Sequence, residues 1–202
     1  MFVQVIQGQV AEPDAAHAAL DQWAKELAHG ASGWLGTTAG VTDDGVFVAL
    51  ARFESEEAAR RNSERPEQST WWEETSRLFT GEVTFHDSTE VDVDVYGDPG
   101  QAEFIQVMQG RTTDADRARE LMADDSVDWP GYRPDILGSV SAGYGDGEYT
   151  LALYFTSEEA AREGESKEPP PELMTMMQEM DALTVGETRY FDLRHPWMYA
   201  PE

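Results

Sequence analysis

Phe2-Val-Gln-Val-Ile-Gln-Gly8 is written a second time as Phe104-Ile-Gln-Val-Met-Gln-Gly110, with five of seven residues identical 102 positions later. Three more blocks keep that offset. Phe53-Glu-Ser-Glu-Glu-Ala-Ala-Arg60 returns as Phe155-Thr-Ser-Glu-Glu-Ala-Ala-Arg162, Asp44-Gly45 as Asp146-Gly147, and Leu35-Gly36 as Leu137-Gly138. Four blocks in one register mark a tandem duplication, and the fold must be read as one unit used twice. The repeats are drawn at residues 1–96 and 103–202, joined by a Gly- and Pro-bearing linker at 97–102.

Each repeat has the same order of elements. Residues 2–7 alternate as a strand that is mostly apolar on both faces, as expected for a covered strand. Pro13 suits the first turn of a helix, and Ala16, Leu20, Trp23 and Leu27 follow at spacings of 4, 3 and 4 on one face. Residues 34–41 and 46–53 read as a hairpin around Thr42-Asp43-Asp44-Gly45. Ser55 is placed to cap the next helix; a second helical piece carries Trp71, Trp72, Thr75 and Leu78, and a last strand covers 82–87. The order is β-α-β-β-α-β, the ferredoxin-like unit. After it, Val91-Asp-Val-Asp-Val95 alternates strictly, as an edge strand whose Asp row deters stray pairing. The tail His195-Pro-Trp-Met-Tyr199 stands at the corresponding place of the second repeat.

The central strands carry Phe47, Ala49, Ala51 and Phe53 on one face and Val46, Val48 and Leu50 on the other. Helices cover one face of such a sheet. The expected cover for the other is the sibling sheet, giving an α+β fold in which two βαββαβ repeats form an intrachain pseudo-dimeric barrel.

These features resemble the dimeric α+β barrel superfamily, and within it the antibiotic-biosynthesis-monooxygenase-like group. The opening strand, Ala51-Arg52-Phe53, the helix start Ser55-Glu-Glu-Ala-Ala-Arg-Arg-Asn62 and the pair Trp71-Trp72 carry the resemblance. It implies a small-molecule cavity, with Asn62 and Trp71 or Trp72 in the positions of cavity residues. Members include cofactor-independent monooxygenases of polyketide phenols, haem-degrading enzymes and stress-response proteins. Haem is not expected here, because no His stands between His29 and His86 to ligate iron near the Trp pair.

The halves differ where chemistry would sit. Arg61-Asn62 becomes Glu163-Gly164, Trp71-Trp72-Glu73 becomes Met176-Met177-Gln178, Arg52 becomes Tyr154 and His86 becomes Phe191. A site is therefore expected in the first half, with the second half as its covering wall. His86 is the candidate general base, since an imidazole titrates near neutrality. Asn62 and Arg52 are the candidates for steadying an oxyanion. Arg52, Trp71 and Trp72 are candidate substrate contacts. Plainer readings stand beside these: Asn62 as a helix cap, Arg52 paired with a nearby acid, and His86 in solvent. Adjacent helical residues diverge, so one Trp is expected on the sheet and the other on the neighbouring unit. Gln4 and Gln106, mid-strand amides, are expected to bond across the pseudo-twofold or to line a cavity.

With 40 acids, 14 bases and net charge −26, the chain is not expected to bind nucleic acid or a membrane. The acidity itself reads as solubility or adaptation to high salt. No cysteine is present, which removes disulfides and thiolate chemistry. The four His are scattered, no Gly-rich phosphate loop follows a strand, and neither a metal nor another cofactor is expected. Met1 runs directly into a strand, and a cytoplasmic protein is the expectation. Three functions remain open: a cofactor-free oxygenase of an aromatic or polyketide-like molecule, a binding or structural barrel with a filled interior, and a stress role of the acidic surface. Beyond the internal pair, homo-oligomerisation is left open.

Overall fold

A computed structural model describes residues 1–123 and 128–201. The first repeat forms β1 (Phe2–Gln9), α1 (Pro13–Glu26), β2 (Trp34–Val41), β3 (Val46–Phe53), α2 (Glu56–Ser63), α3 (Pro66–Thr75) and β4 (Thr84–Ser88). After β5 (Glu90–Val95), the second forms β6 (Phe104–Arg111), α4 (Ala115–Met122), α5 (Trp129–Tyr132), β7 (Ile136–Gly143), β8 (Glu148–Phe155), α6 (Glu158–Glu165), α7 (Pro171–Leu183) and β9 (Arg189–Leu193). The chain ends on β10 (Trp197–Tyr199).

The repeated sequence blocks make repeated structure. Ser55 Oγ accepts from the Ala58 amide at 3.2 Å, and Ser157 Oγ from the Ala160 amide at 3.1 Å, so one N-cap starts both α2 and α6. Gly45 and Gly147 turn their hairpins at φ of +84°, where a Cβ would be strained. Leu35-Gly36 and Leu137-Gly138 mark the same irregularity, a register shift in β2 and in β7. The glycine in each makes room for the neighbouring edge strand. A Cβ on Gly36 would lie 2.8 Å from the Tyr199 carbonyl oxygen, and one on Gly138 would meet that of Asp94 at 2.5 Å.

Each unit is a five-stranded antiparallel sheet, ordered β10-β2-β3-β1-β4 in the first and β5-β7-β8-β6-β9 in the second. The two edge strands are exchanged relative to the repeats. β5, which follows the first repeat in sequence, pairs with β7; β10, at the end of the second, pairs with β2. Compactness accordingly divides the chain at other places than the duplication does. One unit is residues 1–91 with the tail from Phe191 onward, and the other is Asp92–Tyr190.

In the first sheet Phe2, Gln4 and Ile6 stand opposite Phe53, Ala51 and Ala49. They form the face on which Trp23, Leu20 and Ala16 of α1 pack. The opposite face holds Val3, Val5, Val48 and Leu50, all at 0 % exposure, so both faces are buried as the double apolar alternation predicts. Among the described residues no helix is long and apolar enough to cross a membrane.

Candidate functional site

In the first unit a cavity of about 90 Å³ lies between the sheet and its own helices. Its floor is Gln4, Ile6, Thr37, Ala49 and Ala51, and its walls are largely aromatic: Trp23, Trp34, Phe47, Trp71, Trp72, Phe79 and Tyr199. Every lining residue belongs to the first unit. The expected cover by the second repeat is therefore narrowed to Tyr199 of its last strand, while α1, α2 and α3 close the rest of this space.

Asn62 is the polar centre of the cavity. It is 7 % exposed on the inner face of α2. Its Oδ1 accepts from the Arg65 guanidinium at 2.9 Å, and the same Arg65 nitrogen donates to the Leu27 carbonyl at 3.1 Å. That bond orients the amide and leaves the Asn62 nitrogen with no hydrogen-bond partner among the described residues. A buried amide donor calls for an acceptor, either water or a ligand oxygen. Asn62 is thus not a cap exposed at a helix end.

Three of the four lining indoles behave as walls whose own donors are satisfied. Trp23 Nε1 donates to Gln68 Oε1 at 2.6 Å, Trp34 Nε1 to Thr37 Oγ1 at 3.0 Å, and Trp71 Nε1 to the Ala19 carbonyl at 3.0 Å. Trp71 and Trp72 both line the cavity, contrary to the expectation that they would part. Trp71 tilts against Trp23, with centroids 6.4 Å apart. Trp72 reaches Phe79 at 6.1 Å and sits edge-on to Phe85 of β4 at 5.3 Å. An indole is broad enough to bridge the angle between adjacent helical positions when the sheet beneath presents aromatic partners.

Arg52 and His86 are not brought to this cavity. Arg52 stands opposite Val3, and His86 opposite Val5. Directly opposed residues of an antiparallel pair share a face, so both lie on the side of Val3 and Val5, away from Gln4 and Ile6. The Nε of Arg52 is buried without a partner, and its guanidinium lies where a Cβ on Gly36 would come within 2.9 Å. The five candidates therefore split: Asn62, Trp71 and Trp72 converge, while Arg52 and His86 lie on the other face. Gln4 also departs from its expected partner. Its amide donates to Asp87 of the adjacent β4 at 2.8 Å.

The sequence reading did not single out Tyr199, which reaches the cavity from β10. Its hydroxyl donates to Asp21 Oδ1 at 2.7 Å, and His17 Nε2 lies 3.6 Å from the same oxygen. His17 stacks flat on Trp197, with centroids 4.4 Å apart. Burial, then the hydrogen bond and negative charge of Asp21, push the Tyr199 phenol well above its ordinary range. Tyr199 is the one lining side chain here that ionises, and it stays protonated at neutral pH. A signal existed: Trp197-Met-Tyr199 follows the Val91–Val95 pattern at the offset of 105 that holds after Pro171.

The second unit has a larger cavity, about 240 Å³, between α4, α7 and the side of its sheet formed by β5, β7 and β8. Here the edge strand supplies Asp92 and Asp94. Among the described residues no cluster of three His, Asp or Glu is placed to hold a metal.

No family model and no curated protein matches the sequence. Solved structures do match across its length. A candidate monooxygenase from Lactobacillus acidophilus NCFM aligns over 98 % of this chain and 95 % of its own, at 14 % identity and a TM-score of 0.74. An anthrone oxidase-like protein aligns over 98 % of this chain and 92 % of its own, at 12 % identity and a TM-score of 0.70. A ferredoxin-fold protein of Listeria monocytogenes 4b F2365, related to antibiotic biosynthesis monooxygenases, aligns over all of this chain and 95 % of its own, at 9 % identity and 0.51. At these identities the likeness shows the fold alone: two ferredoxin-like α+β units in one chain.

Proposed function

We propose that the protein binds a small aromatic molecule bearing a carbonyl or phenol oxygen, in the helix-covered cavity of its first unit. The observation that carries this is Asn62: a buried amide, clamped by Arg65, whose nitrogen is left to meet an acceptor among aromatic walls. The cavity of about 90 Å³ falls short of the ~300 Å³ at which drug-sized sites begin, and suits a few waters. Entry of a ring therefore requires a lining side chain such as the half-buried Trp72 to swing aside.

Oxygenation follows if the ligand is acidic enough to ionise without a side-chain base. His86 lies on the other face, and Tyr199 keeps its proton, so the substrate loses its C–H proton to water. Anthrone, suggested by the name of one structural neighbour, has such a proton. The Asn62 N–H bond would steady the resulting enolate oxygen. The enolate carbon then bonds to dioxygen and reduces it to a peroxide anion, which takes up the proton as a hydroperoxide and loses water to leave the quinone.

The volume favours a second reading, in which the cavity holds a ligand or water without turnover. Anthrone titrated against tryptophan fluorescence, with oxygen uptake recorded in parallel, separates the two for the wild type and Asn62→Leu. Uptake above the spontaneous rate that the variant loses supports oxygenation. Quenching without uptake supports binding alone. Neither signal would leave the cavity as plain core and end both readings.

A further inference from the structure

We infer that the second unit holds a separate site for a small organic monocation, an ammonium group on an apolar body. The cavity is built by the exchanged edge strand β5, and its chemistry differs from that of the first unit. Asp92, Asp94 and Glu148 line it against one guanidinium, Arg119. That guanidinium is itself divided, lying 3.4 Å from Asp92 and 3.0 Å from Asp116. The balance at the wall is negative.

The three acidic residues are exposed, and one of them, Asp94, is held in place by a hydrogen bond. Asp94 Oδ2 accepts from Ser139 Oγ of β7 at 3.0 Å, which leaves its other oxygen with no hydrogen-bond partner among the described residues. A carboxylate oxygen beside a hollow accepts most strongly from a charged N–H donor. Behind the acids the lining turns apolar, with Ala118 and Met122 of α4, Leu151 of β8 and Met180 of α7. Two thioethers let such a wall adapt to its occupant. The volume of about 240 Å³ lies between the ~150 Å³ of an engineered cavity that holds benzene and the ~300 Å³ of drug-sized sites. One ring with a short ammonium arm fits that interval. An anionic occupant would meet three carboxylates.

This site does not depend on the reading of the first cavity, and it is tested separately. The probe is phenethylammonium, with 2-phenylethanol and 3-phenylpropionate as neutral and anionic counterparts. Titration calorimetry on the full chain, at about 0.15 M salt to screen exposed charge, reads affinity and stoichiometry. Expected is saturable one-to-one binding of the ammonium, with the alcohol weaker by roughly tenfold or more and no binding of the anion. Asp92→Asn with Asp94→Asn should weaken the ammonium by at least the same factor, while Glu103→Gln with Glu187→Gln, a matched loss of surface charge, should not. Equal binding of the alcohol and the ammonium, binding that both double variants lower alike, or no binding of the ammonium would each overturn the assignment. The alcohol comparison needs no variant and stands even if the Asp substitutions unfold the unit.

Discussion

Beside β2 of the first unit stands β10, with Trp197 and Tyr199 on the cavity side; beside β7 of the second stands β5, with Asp92 and Asp94. The helix that faces them differs in step. His17 of α1 stacks on Trp197, and its counterpart 102 residues later, Arg119 of α4, lies 3.4 Å from Asp92. Two copies of one unit have kept their frame and changed the short edge strand. The edge is where change is cheapest, because an edge strand is hydrogen-bonded on one side only.

A second difference lies at Asn62 of α2 and its counterpart Gly164 of α6. In the first unit Arg65, from the start of α3, reaches under Asn62 to the end of α1. In the second, Arg133, from the segment before β7, reaches the Ala161 carbonyl of α6 and forks onto Asp135, at 2.7 Å. Its guanidinium lies where any side chain at 164 would begin, which is why Gly164 stands where the first repeat has Asn62.

Making the second unit copy the first should therefore have the largest effect. Gly164→Asn would displace Arg133 from Asp135, which are 12 % and 6 % exposed, and should cost about 3 kcal/mol of stability in urea unfolding. A loss below about 0.5 kcal/mol, the level of a surface change, would show that Arg133 is free to move and that Gly164 has another cause.

The reverse exchange, Trp71→Met, gives the first unit the residue that stands at the matching position of the second, Met176. It removes the bond to the Ala19 carbonyl and the contact with Trp23, and should cost about 2 kcal/mol. The same experiment reads it, and an unchanged midpoint would mean that the aromatic wall is not the core of its unit.

The smallest effect expected is that of Tyr199→Phe, about 1 kcal/mol for one hydrogen bond. Its pH dependence sharpens the test. Because the folded phenol ionises above its unfolded value, its contribution is complete below about pH 10 and is lost as pH rises from there through the folded value. Wild type and variant should converge in stability above that point; a gap independent of pH would place the effect in packing rather than in the Asp21 bond.

Much of the fold was legible along the chain. The duplication, the βαββαβ order, both Asp-Gly turns and the paired Ser caps are local or repeated signals, and each recurs in the structure. Of the five candidate residues, Asn62 and the two Trp line the cavity, since the two helices that carry them could be placed, one from the Ser55 cap and the other from Pro66. Arg52 and His86 were grouped with them because alternation tells which residues of a strand share a face, but not which face the helices cover. That choice belongs to register: Val5 opposite His86 and Val3 opposite Arg52.

Sequence alone determined that two like units exist, because hydrophobic period and turn chemistry act over a few residues. Only the tertiary structure decided which edge strand each unit received, and with it whether a cavity took a phenol or carboxylates from its edge. Pairing at an edge is chosen by contacts between residues far apart in the chain, such as Tyr199 with Thr37 and Asp94 with Ser139, and no local period records them.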